Sequence, residues 1–160
     1  MPKDPKDLRI LFLRKKDNQY AQRAEDFIRR SFQHAVIFSG GRKDKLPADV
    51  LNWKGDLVVS FISSWIYPQS LLSNANMAAI NFHPGSPEYP GTGCTNFAIY
   101  NGEKEYGVTC HHMNEGVDSG NIIAVKRFPV TGNDTVYQVT QHCYKLIEEM
   151  FYEIINDFLK

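Results

Sequence analysis

The chain has 160 residues, of which 42% are hydrophobic, and its 18 basic and 18 acidic side chains leave no formal net charge. That length and composition predict one globular domain spanning residues 1–160. Without a net positive field, neither a nucleic acid nor a membrane surface is an expected partner. No apolar run reaches the roughly 18 residues that a membrane-spanning helix needs, so a soluble protein that acts on small-molecule substrates, with no membrane partner, is expected.

Three cysteines, Cys94, Cys110 and Cys143, are widely spaced, and no secretory apolar segment precedes them. Cysteines in this arrangement are typical of reduced thiols in the cytoplasm. We therefore expect a cytoplasmic protein in which all three cysteines are structural.

The first half of the chain alternates between strand and helix patterns. Between two β-type runs, Ala21, Ala24, Phe27 and Ile28 recur at helical spacing, which predicts a βαβ unit. The predicted strands of this half lie at 8–14, 34–39, 56–62 and 78–83, and the predicted helices at 18–32 and 68–75.

The second half places two strands between two helices. A helix is predicted at 94–102, and the strands predicted at 106–113 and 121–130 pair antiparallel. Residues 135–160 are expected to form one long amphipathic helix with Asp134 as its N-cap. The alternation of helices and strands predicts an α/β fold with a mostly parallel, doubly wound sheet that is covered on both faces.

Asn81 and His83 stand at the carboxyl end of the fourth predicted strand, just before a loop that contains Pro84, Pro87 and Pro90. Ligands of open α/β sheets bind at this end of the strands, and residues two apart on a strand project from the same face. An amide there can donate a hydrogen bond to a developing oxyanion, and an imidazole can move a proton. The pair therefore predicts acyl-transfer chemistry, with a stiff loop that fixes its geometry.

Such a pair still needs a carboxylate, and Glu115 and Asp118 lie in the loop between the last two strands. Asp118 precedes Ser119 and Gly120, a turn that can present its carboxylate inward. Each piece also has a structural interpretation, because an Asp before Ser-Gly is most often a turn residue and a lone Asn-x-His at a strand end is usually structural. Position alone leaves both interpretations open.

Together, NFHPGSPEYPG (81–91) and GVTCHHMNEGVDSGNII (107–123) resemble the formyltransferase superfamily, whose members transfer a formyl group from 10-formyltetrahydrofolate to an amine. The shared pattern is Asn-x-His-Pro, a proline-rich loop ending in glycine, Gly-Val-Thr-x-His and then Asp-x-Gly. The residues that match it are Asn81, His83, Pro84, Gly91, Gly107, Val108, Thr109, His111, Asp118 and Gly120. The resemblance implies a Rossmann-like formyltransferase fold, catalytic roles for Asn81, His83 and Asp118, a supporting role for His111, and no metal.

By the same resemblance, the pterin ring of the 10-formyltetrahydrofolate donor lies between residues 63–68 and 113–118. The expected cofactor-binding residues are Ser64, Trp65, Ile66, Met113, Asn114, Glu115, Gly116 and Val117. Trp65 and Ile66 have an equally good interpretation as ordinary core residues. Glu115 is expected to face solvent or folate rather than to act in catalysis.

Differences between this sequence and particular groups of formyltransferases indicate which amine accepts the formyl group. Residues 13–20, LRKKDNQY, lack the glycine-rich phosphate loop of glycinamide ribonucleotide formyltransferases. Methionyl-tRNA formyltransferases have an added C-terminal domain and basic surfaces for tRNA, which a neutral sequence of 160 residues is not expected to provide. Its short proline-rich loop most resembles that of sugar N-formyltransferases, which act on nucleotide-linked aminodeoxysugars and are normally longer. We expect such a sugar nucleotide as the acceptor.

A sugar nucleotide predicts particular contacts. Tyr89, beside Gly91, is expected to pack against the sugar or base, although it could equally cover its own loop. Arg14 and Lys15, with Lys16, are expected to bind the diphosphate. The alternatives are a glycinamide ribonucleotide or methionyl-tRNA formyltransferase-like enzyme, a formyltetrahydrofolate hydrolase, or a catalytically silent folate-binding subunit. The oligomeric state stays open, and a homodimer is one choice.

Overall fold

The computed structural model describes residues 1–114, 116 and 118–160, and a six-stranded sheet lies at its centre. The strands are β1 (Arg9–Lys15), β2 (His34–Gly40), β3 (Gly55–Phe61), β4 (Ala75–His83), β5 (Glu105–His112) and β6 (Ile122–Pro129). Their order in the sheet is β2-β1-β3-β4-β5-β6. The pairs among the first four strands are parallel, whereas β5 runs antiparallel to β4 and to β6. The predicted mostly parallel α/β sheet is confirmed.

The described residues form four α-helices, three of which lie between strands and one of which follows β6. They are α1 (Gln19–Ser31), α2 (Gln69–Leu72), α3 (Cys94–Tyr100) and α4 (Val136–Phe158). α1 begins after Asn18, whose side chain accepts a hydrogen bond from the Ala21 amide. α2 is shorter than predicted because β4 already begins at Ala75.

The predicted N-cap of the last helix was wrong. Thr135 caps α4 through a capping box with Gln138, in which each side chain bonds the other residue's backbone amide. Asp134 instead accepts a hydrogen bond from the Thr131 amide in the preceding turn, at 2.7 Å. The helix start therefore follows the Thr-x-x-Gln pattern.

Helices α1 and α4 cover one face of the sheet with an aromatic core. Phe151 of α4 packs against Phe12, Phe61 and Phe82, which come from β1, β3 and β4, with ring centroids 5.2–5.9 Å apart. On the other face, Leu11, Val58 and Leu71 belong to a second buried cluster. Burial on both faces fixes the strands in register, so that residues at their carboxyl ends are held on a rigid frame.

In the part of the chain that the structure describes, no helix combines the length and the apolar character needed to cross a membrane. The cysteines Cys94, Cys110 and Cys143 are all unpaired and buried.

Candidate active site

Asn81 lies near the end of β4, and strand register places it directly beside His111 of β5. The Asn81 amide nitrogen is 3.1 Å from His111 Nε2 and donates to Asp118 Oδ1 at 2.9 Å. His111 Nε2 is itself 3.2 Å from the same carboxylate oxygen. The two strands and the loop after β5 therefore meet at one carboxylate.

Asp118 is held in an unusual backbone conformation, with a φ of 50° in the left-handed region. Its second oxygen, Oδ2, accepts a hydrogen bond from the Gly91 amide at 2.8 Å and lies 3.4 Å from His83 Nδ1. A non-glycine residue in this region costs on the order of 1–3 kcal/mol, and such residues cluster at functional sites. The contacts made by both carboxylate oxygens compensate for that cost.

The tautomer of His83 follows from its neighbours. Nε2 is 3.0 Å from the backbone oxygen of Tyr89, which can only accept, so Nε2 carries a hydrogen. Nδ1 then faces Asp118. The side chain is buried, at 6% exposure, and its orientation is fixed on both sides.

The ionisation of this pair is shifted in opposite directions. Burial opposes the charged form of His83, but contacts with Cys94 and the charge of Asp118 outweigh it, and the pKa of His83 lies above its ordinary value. Burial likewise opposes the charge of Asp118, yet hydrogen bonding from His111 and the charge of His83 hold its pKa below the ordinary value. An ionised carboxylate thus stands beside an imidazole that can gain and lose a proton.

A cavity of about 370 Å³ opens beside this cluster, and Asn81, His83, Gly91, His111 and Asp118 line it. Six of the eight predicted cofactor-binding residues also line it: Ser64, Trp65, Ile66, Met113, Asn114 and Gly116. The other two, Glu115 and Val117, lie outside the described residues. The two predicted segments are therefore brought to the same space.

Trp65 packs against the protein and also borders the cavity. Its indole packs over Gly40, where a Cβ would lie 2.1 Å from the ring, and its Nε1 donates to the Asp44 backbone oxygen at 2.9 Å. The side chain nevertheless lines the cavity. Ile66 is 68% exposed and is not a core residue.

The prediction that Arg14 binds a diphosphate needs correction. Arg14 is only 8% exposed, and its guanidinium donates to Glu25 at 2.6 Å, to Gln22 at 2.8 Å and to the Lys15 backbone oxygen at 2.9 Å. The planar group is already engaged, and the ion pair ties β1 to α1. Lys16 is paired with Asp44 at 3.0 Å.

Lys15 does line the cavity, with its ammonium 3.3 Å from the Tyr144 hydroxyl. Arg42, in the loop after β2, is exposed and lines the same cavity, although the sequence analysis did not identify it. The rule that sites form at the carboxyl ends of parallel strands could have found it, because β2 is the neighbour of β1. Of the three predicted cations, Lys15 is the one that borders this cavity, and Arg42 lies there with it.

Tyr89 packs into its own loop. Its ring lies 5.9 Å from that of Tyr106, its hydroxyl donates to Glu103 at 2.6 Å, and it accepts from Asn101 at 3.1 Å. Of the two interpretations of Tyr89, loop packing is the one these contacts support. Its backbone oxygen, which orients His83, is the part of Tyr89 that faces the site.

Comparisons with known proteins agree with this geometry. Residues 10–155 match the family model described as formyl transferase. A methionyl-tRNA formyltransferase from Listeria monocytogenes is 32% identical over 112 residues, which are 69% of this chain and 36% of that protein. The chain therefore spans about a third of the length of the curated relatives it matches.

Two solved structures share the fold. An N-formyltransferase from Helicobacter canadensis, in complex with folinic acid and dTDP-3-aminofucose, has a TM-score of 0.79 at 20% identity, covering 95% of this chain and 64% of that one. A phosphoribosylglycinamide formyltransferase from Streptococcus pneumoniae has a TM-score of 0.76 at 20% identity, covering 96% of this chain and 99% of that one.

Proposed function

Because this chain belongs to the formyl transferase family, we propose that it transfers a formyl group from 10-formyltetrahydrofolate to a primary amine, that of a nucleotide-linked aminodeoxysugar. The observation that carries the proposal is the Asp118 carboxylate, which lies within 3.4 Å of Asn81, His83 and His111 at the edge of a cavity. The catalytic residues are Asn81, His83 and Asp118.

The cavity fits a folate donor. Trp65, Ile66 and Met113 give it an apolar wall, and backbone and side-chain polar groups at Asn114 and Ser64 lie along the same surface. A flat heterocycle with polar edges is the kind of group that such a wall holds. The complex of the Helicobacter enzyme with folinic acid supports the same donor chemistry.

Asn81 acts on the formyl oxygen. As the amine nitrogen bonds to the formyl carbon, the carbonyl π electrons move onto that oxygen, and Asn81 donates one of its two amide hydrogens to it. The other amide hydrogen of Asn81 keeps its hydrogen bond to Asp118 Oδ1. The formyl oxygen takes the place of His111 Nε2, which the Asn81 amide contacts in the structure. One well-placed donor of this kind stabilises the transition state by about 3 kcal/mol.

His83 carries the proton. Its Nδ1 takes the proton that leaves the attacking amine, while Asp118 stabilises the imidazolium and the Tyr89 carbonyl keeps the ring in place. The same proton passes to the departing folate nitrogen when the old carbon–nitrogen bond breaks. The products are the formamide and tetrahydrofolate.

The acceptor carries negative charge in this proposal. Lys15 and Arg42 line the cavity and provide cations for a phosphate, with Arg42 able to bind it in bidentate fashion. The dTDP-aminosugar bound by the Helicobacter enzyme supports a sugar nucleotide. Glycinamide ribonucleotide is the second candidate, because the match to the Streptococcus enzyme covers nearly that whole chain.

The experiment is a tetrahydrofolate-release assay with a panel of acceptors: dTDP-linked 3-amino and 4-amino deoxysugars, glycinamide ribonucleotide, charged initiator tRNA and no acceptor. We expect the highest kcat/KM with an aminosugar nucleotide and no release without acceptor. Release of tetrahydrofolate without acceptor would indicate a hydrolase. A higher kcat/KM with glycinamide ribonucleotide or tRNA would identify that molecule, and not the aminosugar nucleotide, as the acceptor. Folate binding with no release in any arm would indicate a silent folate-binding subunit.

A further inference from the structure

Cys94 is the first residue of α3, directly after the proline-rich loop, and it lines the catalytic cavity. None of the proposed steps of formyl transfer uses its thiol. The other two cysteines, Cys110 on β5 and Cys143 on α4, are fully buried in the core. The chain thus contains one cysteine at the cavity and two matched internal controls.

Three polar side chains converge above Gly85. A Cβ atom at this position would lie 2.6 Å from His83 Nε2, 2.9 Å from Cys94 Sγ and 2.9 Å from the Tyr106 hydroxyl. Only glycine leaves the imidazole, the thiol and the phenol free to face one another at this point. The Cys94 sulfur therefore lies close to an imidazole nitrogen and to a phenol hydroxyl, and the hydroxyl is the group left free to donate a hydrogen bond to it.

The Tyr106 hydroxyl is the unusual member of this group. It is fully buried, and among the described residues it has no hydrogen-bond partner. Burial raises its pKa, so it keeps its proton and remains a donor. A buried donor without an acceptor is rare in proteins. A sulfur that carries negative charge, or an oxygen added to that sulfur, would satisfy it.

We propose that Cys94 is a modification site, a nucleophilic thiol on the cavity wall that reacts with small electrophiles such as peroxides. With hydrogen peroxide, the sulfur attacks one oxygen, an S–O bond forms and the O–O bond breaks. The sulfur loses two electrons and the peroxide is reduced, and the departing hydroxide takes up the proton that the thiol gave to His83 and leaves as water. The Tyr106 hydroxyl, which has no other partner among the described residues, is placed to donate to the new oxygen.

The electrostatics of the three cysteines agree with this geometry. Burial opposes ionisation of Cys94, but its contact with His83 outweighs burial and holds the pKa of the thiol below its ordinary value. Burial raises the pKa of Cys110 and of Cys143 to about 12. Only the thiolate is nucleophilic, so reactivity is confined to the cavity.

Modification of Cys94 also affects the proposed reaction, and this consequence rests on the proposed function. An oxygen or alkyl group on the sulfur sits against the Nε2 side of His83 and displaces the ring from the Tyr89 carbonyl. Formyl transfer would then stop.

The test is alkylation of the native protein with iodoacetamide at neutral pH, followed by intact mass and peptide mapping. We expect one added group, on Cys94, and labelling of Cys110 and Cys143 only after denaturation. Folinic acid in the cavity should slow the reaction. Absence of native labelling, or equal labelling of the three cysteines, would overturn the proposal.

Variants separate a reactive thiol from a merely accessible one. Cys94→Ser should remove the label. Tyr106→Phe and His83→Gln should slow labelling of Cys94 on the order of tenfold, the change expected for a thiol pKa that rises by one unit. Unchanged labelling rates in both variants, with thermal unfolding showing intact folds, would show that neither neighbour activates the thiol and would contradict the proposal.

Labelling is read by mass and needs no formyl transfer, so its outcome is independent of the proposed function. Where transfer is measured, hydrogen peroxide should inactivate the wild type, and the activity that Cys94→Ser retains should resist peroxide. Equal loss in the two proteins would locate the damage elsewhere.

Discussion

Two buried charged clusters occupy the carboxyl ends of strands in the same sheet, and they differ in what surrounds them. At the end of β1, Arg14 is closed in by Glu25 and Gln22 of α1, and Glu25 also accepts from Arg29. At the end of β4, Asn81 and His83 surround Asp118 beside an open cavity. The first cluster joins two elements, and although Arg14 and Gln22 border a depression of about 350 Å³, their polar groups bond one another; the second cluster holds its carboxylate at the edge of the cavity of about 370 Å³.

A charged side chain at the carboxyl end of a strand is therefore not by itself a binding site. The Arg14 guanidinium has its partners within the protein, so a substrate phosphate would have to displace them. Asp118 is held at a φ of 50°, and its neighbours include a histidine with a raised pKa. Strain, a shifted pKa and an adjacent cavity together distinguish a candidate active site.

The largest expected effect is on catalysis at the Asp118 cluster. Asp118→Asn and His83→Ala should each lower the rate of formyl transfer by about 10²–10⁴-fold, the range for loss of general acid–base catalysis. Both variants should still fold cooperatively, since both side chains border the cavity and lie outside the two hydrophobic clusters.

Steady-state kinetics with folinic acid binding as a folding control would measure this. Asp157→Asn, at an exposed carboxylate near the end of α4, is the control and should keep full activity. An unfolded His83→Ala protein, or an unchanged rate in either variant, would contradict the assignment.

The second prediction concerns the stability of the β1 cluster. Glu25→Gln removes the partner of a buried guanidinium and should lower the free energy of unfolding by about 3–5 kcal/mol, because an uncompensated buried charge remains. Glu88→Gln, which breaks the exposed pair with Arg127, should change it by less than about 1 kcal/mol.

Urea denaturation of the two variants would test this contrast. A raised KM for the acceptor in Arg14→Met, without loss of stability, would show that Arg14 binds the substrate. The assignment of the β1 cluster as structural would then be wrong.

The third prediction concerns the two cations at the cavity edge, Lys15 and Arg42. Lys15→Met and Arg42→Met should each raise the acceptor KM by about tenfold or more, the loss of a charge-assisted hydrogen bond, and leave the folate KM unchanged. Initial rates with each substrate varied would show this, with Lys16→Met as control because Lys16 is paired with Asp44. A rise in the folate KM alone would place the cations at the donor instead.

The smallest effect is the pH dependence of stability. The pKa of His83 is raised, so its contribution is complete below the ordinary value of about 6.5 and is lost as the pH rises through the folded-state pKa. The stability advantage of wild type over His83→Gln should therefore shrink above neutral pH. Denaturation at a series of pH values measures this, with exposed His34→Gln as the control. A constant difference would indicate that His83 has no favourable charge interaction.

The strand and helix order and the meeting of Asn81, His83 and Asp118 could be predicted because they depend on local patterns and on a two-part motif. The ion pair that buries Arg14 could not be predicted, because Glu25 approaches Arg14 only when α1 packs on β1. Arg42 reaches the cavity through sheet order, which puts the end of β2 beside that of β1. The Cys94 cluster depends on the close approach of three side chains over Gly85, which spacing does not reveal.

Detection of the formylated acceptor is the direct test of Asp118-dependent formyl transfer to an amine. Wild type and Asp118→Asn would each be incubated with 10-formyltetrahydrofolate and a dTDP-aminosugar, and the acceptor would be analysed by mass spectrometry. We predict an acceptor with one added formyl group from wild type and almost none from Asp118→Asn, although both proteins bind folinic acid equally. Equal product from the two proteins, or no formylated acceptor from wild type with any amine in the panel, would contradict the account.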